Sequence, residues 1–175
     1  LLIKNLKTNE IFQENYDILV LSSGAEPIKP PIKGIDSAEN VFILRDIPDA
    51  DKIKNFVETK NPKKAVVIGG GFIGIEIADS LLARGMNVTI VEKADQILVQ
   101  LDKEMANILH KNIKDKGVDL ILADSIEEFK NNGNTLVLSS GKQIDSDLTI
   151  LSIGVKPESN LAKEAGLDIG ITGGV

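Results

Sequence analysis

Three glycines, at positions 69, 71 and 74, constrain this chain more than any other feature. They follow the apolar run Val66-Val67-Ile68 and precede a helix-type segment that begins at Phe72. In that setting the G-x-G-x-x-G spacing describes a strand-to-helix turn that receives a dinucleotide diphosphate. Gly69 permits the tight turn, Gly71 keeps side-chain bulk off the anion, and Gly74 lets the helix lie close to the strand. Gly70 and Ile73 complete the loop. Its N–H groups and the positive end of the helix dipole would face the phosphates.

The next strand, Asn87 to Val91, ends at Glu92, which lies 92 − 69 = 23 positions after the first glycine. A carboxylate there accepts both hydroxyl protons of an adenosine ribose. A 2′-phosphate in the same place would meet like charge, a repulsion on the order of a few kcal/mol at an effective dielectric of about 20. NAD(H) is therefore expected in preference to NADP(H), with Lys93 the neighbouring cation able to turn toward a phosphate. Glu76, in the first turn of the helix, would repel a diphosphate and is expected to point away from it, toward the nicotinamide end or a missing partner. Phe72 fits either a core position or a cover over that end. His110, the single histidine, is expected on the surface of a helix flank. The carboxylates suggest neither an acid/base pair nor a metal cluster.

The remaining pattern predicts a Rossmann-like α/β fold, a parallel sheet with helices plus a small antiparallel β crossover sheet. Leu1 to Gln13 reads as a hairpin, and Tyr16 to Ser22 as a strand buried on both faces. Pro27, Pro30 and Pro31 make a stiff connector. A short strand spans 41–44, and a helix follows Asp46 and Pro48. After the strand 65–68, the helix from Phe72 to Arg84 is apolar on most sides, which predicts that it is largely buried. Gly85 and Met86 close it. A helix from Asp102 to Lys116 is expected to bury Met105, Ile108, Leu109 and Ile113. Four short strands (118–122, 125–130, 135–139 and 142–144) are predicted to form the crossover sheet. A buried strand over 147–153 and a short helix over 159–165 follow.

The net charge of −6 argues against a broad nucleic-acid surface. Without cysteine there is no disulfide or thiolate nucleophile in these residues. No apolar run reaches membrane-spanning length. The expectation is a cytoplasmic protein without a membrane or nucleic-acid partner. The sequence starts without Met inside a strand pattern and ends on Gly173-Gly174-Val175, and is read as a piece of a longer protein.

The segments YDILVLSSGAEPIKPPI, VFILRDIPDADKI, VVIGGGFIGIEIADSLLARGMNVTIVEKADQIL and LTILSIGVKPESNLAKEAGL, in that order, resemble the pyridine nucleotide–disulfide oxidoreductases. The resemblance runs from Tyr16 to Val175 and is nearest to the NADH oxidase and coenzyme A-disulfide reductase branch. It implies an NAD(P)H domain inserted into an FAD domain and followed by a dimerisation domain. On that basis residues 1–35 are a partial FAD-domain segment, 36–152 the NAD(P)H-binding domain, and 153–175 the return to the FAD domain. It further implies that Ser22, Ser23, Gly24, Ala25 and Arg45 contact FAD. Glu76 would lie near the nicotinamide and pair with a lysine of the FAD domain. Phe72 would shield the flavin until nicotinamide displaces it, and the Gly154 backbone would line the nicotinamide pocket. In the homodimeric parent, NADH would reduce FAD, and FAD would reduce a disulfide such as CoA disulfide, or an oxygen species, through a cysteine. Neither that cysteine nor an FAD glycine motif occurs here, so these residues alone are expected to bind NADH weakly, FAD hardly at all, and to catalyse nothing. Two alternatives remain: a non-catalytic dinucleotide-binding module, and a reductase of a protein electron carrier of the rubredoxin or ferredoxin type.

Overall fold

The computed structural model describes all residues, Leu1–Val175. The chain divides into two compact units, Leu1–Ala25 with Pro157–Val175, and Glu26–Lys156. The Pro-rich stretch from Pro27 to Pro31 thus belongs to the larger unit. In chain order the elements are β1 (Leu2–Lys4), β2 (Ile11–Gln13), β3 (Ala25–Pro27), β4 (Val41–Ile43), α1 (Ile47–Lys60), β5 (Lys64–Ile68), α2 (Phe72–Ala83), β6 (Asn87–Val91) and α3 (Lys103–Asp115). There follow β7 (Asp119–Ile121), β8 (Ile126–Lys130), β9 (Thr135–Leu138), β10 (Gln143–Asp145), β11 (Leu148–Leu151), β12 (Val155–Pro157) and α4 (Asn160–Glu164).

The larger unit is built in three layers around a five-stranded sheet of order β4-β11-β5-β6-β7, parallel throughout. Alternation along β5 shows why its sequence is apolar without interruption. Ala65 and Val67 face a core shared with Ala78 and Leu81 of α2, Phe56 of α1 and Ile113 of α3. Val66 and Ile68 face the opposite core, with Phe129 of β8 and Leu136 and Leu138 of β9. Both faces are covered, so both parities must be apolar. Each Val, Leu, Ile or Phe side chain among them contributes about 1.5–3 kcal/mol on burial. The second cover is a three-stranded antiparallel sheet of order β10-β9-β8. The predicted crossover sheet therefore loses one member. β7 pairs with β6 in parallel and extends the main sheet, because Val118 and Leu120 belong to the helix-side core.

Helix ends follow their local chemistry. Asp46 caps α1 by accepting the Asp49 N–H at 3.0 Å. Beyond α2, Met86 N–H reaches Leu81 O and Gly85 N–H reaches Leu82 O. With Gly85 at φ +81 and Met86 buried, this is the Schellman closure that the sequence predicts.

Three further expectations of the fold fail. Tyr16 to Ser22 forms no strand, and Ile18 and Val20 are 87% and 81% exposed. A strand buried on both faces needs neighbours on both edges, and the smaller unit offers only the three-residue ladder of β1 with β2. Secondly, α2 is not largely buried. It covers the sheet with Gly74, Ala78 and Leu81, and leaves Phe72 and Ile73 exposed. Thirdly, α3 buries the stripe Ala106, Leu109, His110 and Ile113 to varying depth, while Met105 and Ile108 are exposed. β12, paired with β3, was not anticipated either.

Candidate functional site

The glycine loop joins β5 to α2 at the carboxyl edge of the parallel sheet, where open α/β sheets receive ligands. Its four glycines face four different surroundings. Gly69 has φ +109, and a Cβ there would overlap the Ser152 carbonyl oxygen at the end of β11. Its N–H donates to Val91 O at 2.8 Å, so the turn is locked to strands on both sides. A Cβ on Gly70 would lie 2.7 Å from Ile97 Cγ2. One on Gly74 would overlap the Gly69 carbonyl oxygen, the close helix–strand approach expected of that position. Gly71 differs from the others. Its φ is −78 and a Cβ there would meet nothing within 4 Å. No backbone contact explains a glycine at 71, and the space beside it is open. Gly71 is the N-cap of α2 and has no side chain to cap it. The N–H groups of Phe72, Ile73 and Gly74 have no acceptor in the chain.

Glu92 is half-buried directly behind this loop. Its Oε2 accepts Gly70 N–H at 2.6 Å and its Oε1 accepts Ala94 N–H at 2.7 Å. Each carboxylate oxygen retains a second lone pair. The following loop, 94–101, folds over the glycines. Leu98 N–H donates to Gly70 O at 2.9 Å, and Ile97 N–H donates to Nε2 of His110 at 3.2 Å. His110 is thus not a surface histidine. It stands on the inner stripe of α3, where burial, and then the Lys114 charge, hold its pKa below the usual histidine value. The signal for it was the i, i+3, i+4, i+7 series Ala106, Leu109, His110 and Ile113.

These parts open on a cleft of about 740 Å³ within the larger unit. Gly69, Gly70, Gly71, Phe72 and Ile73 line one side, Glu92 and Lys93 another, and Ile153 and Gly154 a third. Phe72, 62% exposed, stands at this cleft rather than in the core. Gly154 has φ +106, and its carbonyl accepts Ile28 N–H at 3.0 Å. Glu76 is exposed on α2 beyond its first turn, which holds no acidic residue, and forms no ion pair. Leu98, Val99 and Gln100 form a wall that the sequence did not disclose, because no motif marks it.

Asp124 also lines the cleft and was missed. Its carboxylate accepts the hydroxyls of Ser139 and Ser140 and the N–H groups of Ser125 and Ser140. Those bonds favour the charged form and hold its pKa at about 2. The acceptor set ties the end of β9 to the chain leaving β7, so Asp124 is a structural clasp at the cleft floor.

The residues assigned to flavin are divided between the units. Ser22 to Ala25 lie in the smaller one, where Ser23 Oγ donates to Glu158 O and Gly24 O accepts Glu158 N–H at 2.9 Å. Arg45 lies in the larger one, exposed just ahead of α1. The chain has no second G-x-G-x-x-G. A smaller hollow of about 310 Å³ beside β4 and α1 contains Lys29 and Lys52. Both are already paired, with Asp36 and Asp49. No three His, Cys, Asp or Glu side chains converge on a metal position. No helix is long and apolar enough to cross a membrane.

The family model described as pyridine nucleotide-disulphide oxidoreductase matches residues 1–175. An NADH oxidase of Methanocaldococcus jannaschii is 40% identical over 166 residues, which is 94% of this chain and 37% of that protein. The crystal structure of reduced Bacillus anthracis CoADR-RHD superposes with a TM-score of 0.95 at 48% identity, covering 98% of this chain and 31% of that one. The water-forming NADH oxidase of Lactobacillus brevis bound to NADH, and its engineered NADPH oxidase mutant bound to NADPH, each give a TM-score of 0.87 at 28% identity. Each alignment covers 98% of this chain and 38% of the other. The chain thus spans about a third of the length of the relatives it matches.

Proposed function

The chain belongs to the pyridine nucleotide–disulphide oxidoreductase family, and from that premise we propose that its larger unit is where NADH docks. The diphosphate lies against Gly71, within reach of the free N–H groups of Phe72 and Ile73. Glu92 clasps the adenosine ribose with the lone pairs that Gly70 and Ala94 leave unused. The nicotinamide extends past Phe72 toward Gly154, with Glu76 on the same helix beyond it. The observation that carries this reading is the contrast within one loop. Three glycines are required by neighbouring atoms, and the fourth, Gly71, faces empty space at a helix start.

The family depends on FAD and NAD(P)H. The preference for NADH is the finer part of the proposal, supported by the carboxylate at position 92. A 2′-phosphate beside it costs on the order of a few kcal/mol, and each 1.4 kcal/mol or so is tenfold in affinity. Lys93 is exposed and lines the same cleft, and it offsets part of that repulsion.

Bound FAD supplies the hydride acceptor in the parent enzyme, which then passes electrons to a disulfide or an oxygen species. The role of this chain is to hold the dinucleotide and orient its nicotinamide. Ser22 to Ala25 and Arg45 are proposed as its flavin contacts, and the parent as a homodimer.

Calorimetric titration with NADH and NADPH tests the proposal. NADH is expected to bind more tightly, and replacing Glu92 with Ala narrows the gap. Tighter binding of NADPH by the unaltered chain contradicts the role given to Glu92.

A further inference from the structure

Resting on the dinucleotide reading above, we infer that His110 is a positioning residue. Its neutral ring holds the loop 94–101 against Gly70, and protonation of the ring releases that loop and weakens dinucleotide binding.

The geometry is a relay of hydrogen bonds that ends at the ribose carboxylate. Ile97 N–H donates to His110 Nε2 at 3.2 Å. A nitrogen that accepts carries no proton, so the ring proton sits on Nδ1. The next residue, Leu98, donates its N–H to Gly70 O at 2.9 Å. Gly70 in turn donates to Glu92 Oε2 at 2.6 Å, and Ala94 to Oε1 at 2.7 Å. Packing runs in parallel with these bonds. Ile97 is fully buried, and its Cγ2 occupies the space that a Gly70 side chain would take.

Leu98 lies at the centre of the relay with φ +46. A leucine holds this left-handed conformation only where its surroundings fix it. Here the fixing bonds are those from Ile97 to the ring, from Leu98 to Gly70, and from Leu101 N–H to Leu98 O at 2.8 Å, the last independent of the ring. Beyond them, Leu98, Val99 and Gln100 become the wall of the cleft.

Two charges act on the ring. Lys114 stands one turn further along α3. Asp95 approaches from the loop, with its own carboxylate held by Lys103 at 2.8 Å. Burial and Lys114 lower the histidine pKa, and Asp95 opposes them. The folded-state pKa therefore lies below the unfolded value of about 6.5. The bond to Ile97 is fully present above that value and is lost as pH falls through the folded pKa. The chain has one histidine and no cysteine. Apart from the terminal amine, no other group has an ordinary pKa between about 5 and 8. A change in affinity over the acid half of that range reports on His110.

The test is calorimetric titration with NAD+, which unlike NADH survives in acid, at about pH 8 and about one unit below the His110 midpoint read from its ring resonances. The samples are the unaltered chain, His110→Leu and His110→Gln. A glutamine oxygen reaches the position of Nε2 and accepts without titrating. The unaltered chain is expected to lose roughly three- to tenfold in affinity on acidification, as for one hydrogen bond. His110→Leu is weak at both pH values, and His110→Gln restores the affinity and keeps it in acid. In the NMR spectrum of the unaltered chain, the Ile97 amide shifts with the same midpoint as the His110 ring. No binding at pH 8 overturns the dinucleotide reading, and the Ile97 resonance still decides whether the ring holds the loop. Binding at pH 8 that persists unchanged in acid, or that falls equally in His110→Gln, overturns the role of His110 alone.

Discussion

Gly71 and Gly74 are three residues apart in one motif, and their substitutions separate binding from folding. At Gly71 a side chain meets open space and an ordinary φ. Gly71→Val is expected to cost no more than about 1 kcal/mol of stability, the loss typical of a poorer N-cap. On the proposed docking its methyl groups fill the space of the diphosphate, so dinucleotide binding is expected to be abolished. At Gly74 a Cβ overlaps the Gly69 carbonyl oxygen. Gly74→Ala is expected to lower stability by about 1–3 kcal/mol, the range for overpacked sites. Chemical denaturation alongside titration distinguishes the two, and equal stability losses would show that Gly71 is only a turn residue. Asp124 supplies a pH-dependent contribution of its own. Its folded pKa of about 2 is depressed from 3.8. That contribution is complete above about pH 4 and is lost as pH falls toward about 2. Asp124→Ala leaves two serine hydroxyls and two N–H groups without their acceptor, which costs on the order of 2 kcal/mol. It also flattens the acid limb of the stability curve, and an unaltered limb would contradict the clasp. At this scale the spacing of the glycines made the strand-to-helix turn legible, with Glu92 at the end of the next strand. Asp124 and His110 were not, because each acquires its role from residues brought to it by the fold.

Among the elements, those with a one-dimensional signature were readable. The Asp46 cap, the Gly85-Met86 closure and the strands β5 and β6 all derive from a few adjacent residues and recur in the structure. Asp46→Ala is expected to destabilise the chain by about 1 kcal/mol through loss of its bond to Asp49 N–H. Thermal unfolding measures this, and an unchanged midpoint would mean that α1 is held by packing alone. Partner choice was less readable. β7 carries the same short apolar signature as β8 and β9, yet it joins the parallel sheet. The reason is tertiary: Val118 and Leu120 complete the core beneath the helices. The misread face of α3 has a related cause. Met105 and Ile108 are the more apolar side chains, but the small Ala106 is what allows the helix to approach the sheet.

At the scale of the whole molecule, the two units differ in how they cover apolar surface. The larger encloses both faces of its sheet. In the smaller, Tyr16, Ile18 and Val20 are each more than half exposed, in a segment of the composition that forms buried strands. Such a segment is an association hazard. The double substitution Ile18→Ser, Val20→Ser is expected to lower self-association measured by light scattering and to leave dinucleotide affinity unchanged. Undiminished association would place the cause elsewhere. The central claim concerns the larger unit, and a crystal structure of the chain with NAD+ tests it most directly. The account predicts diphosphate oxygens within hydrogen-bonding distance of the Phe72 and Ile73 N–H groups, and the adenosine ribose hydroxyls on the Glu92 carboxylate. A cofactor bound away from the glycine loop, or the cleft beside Gly71 filled by side chains, would contradict it.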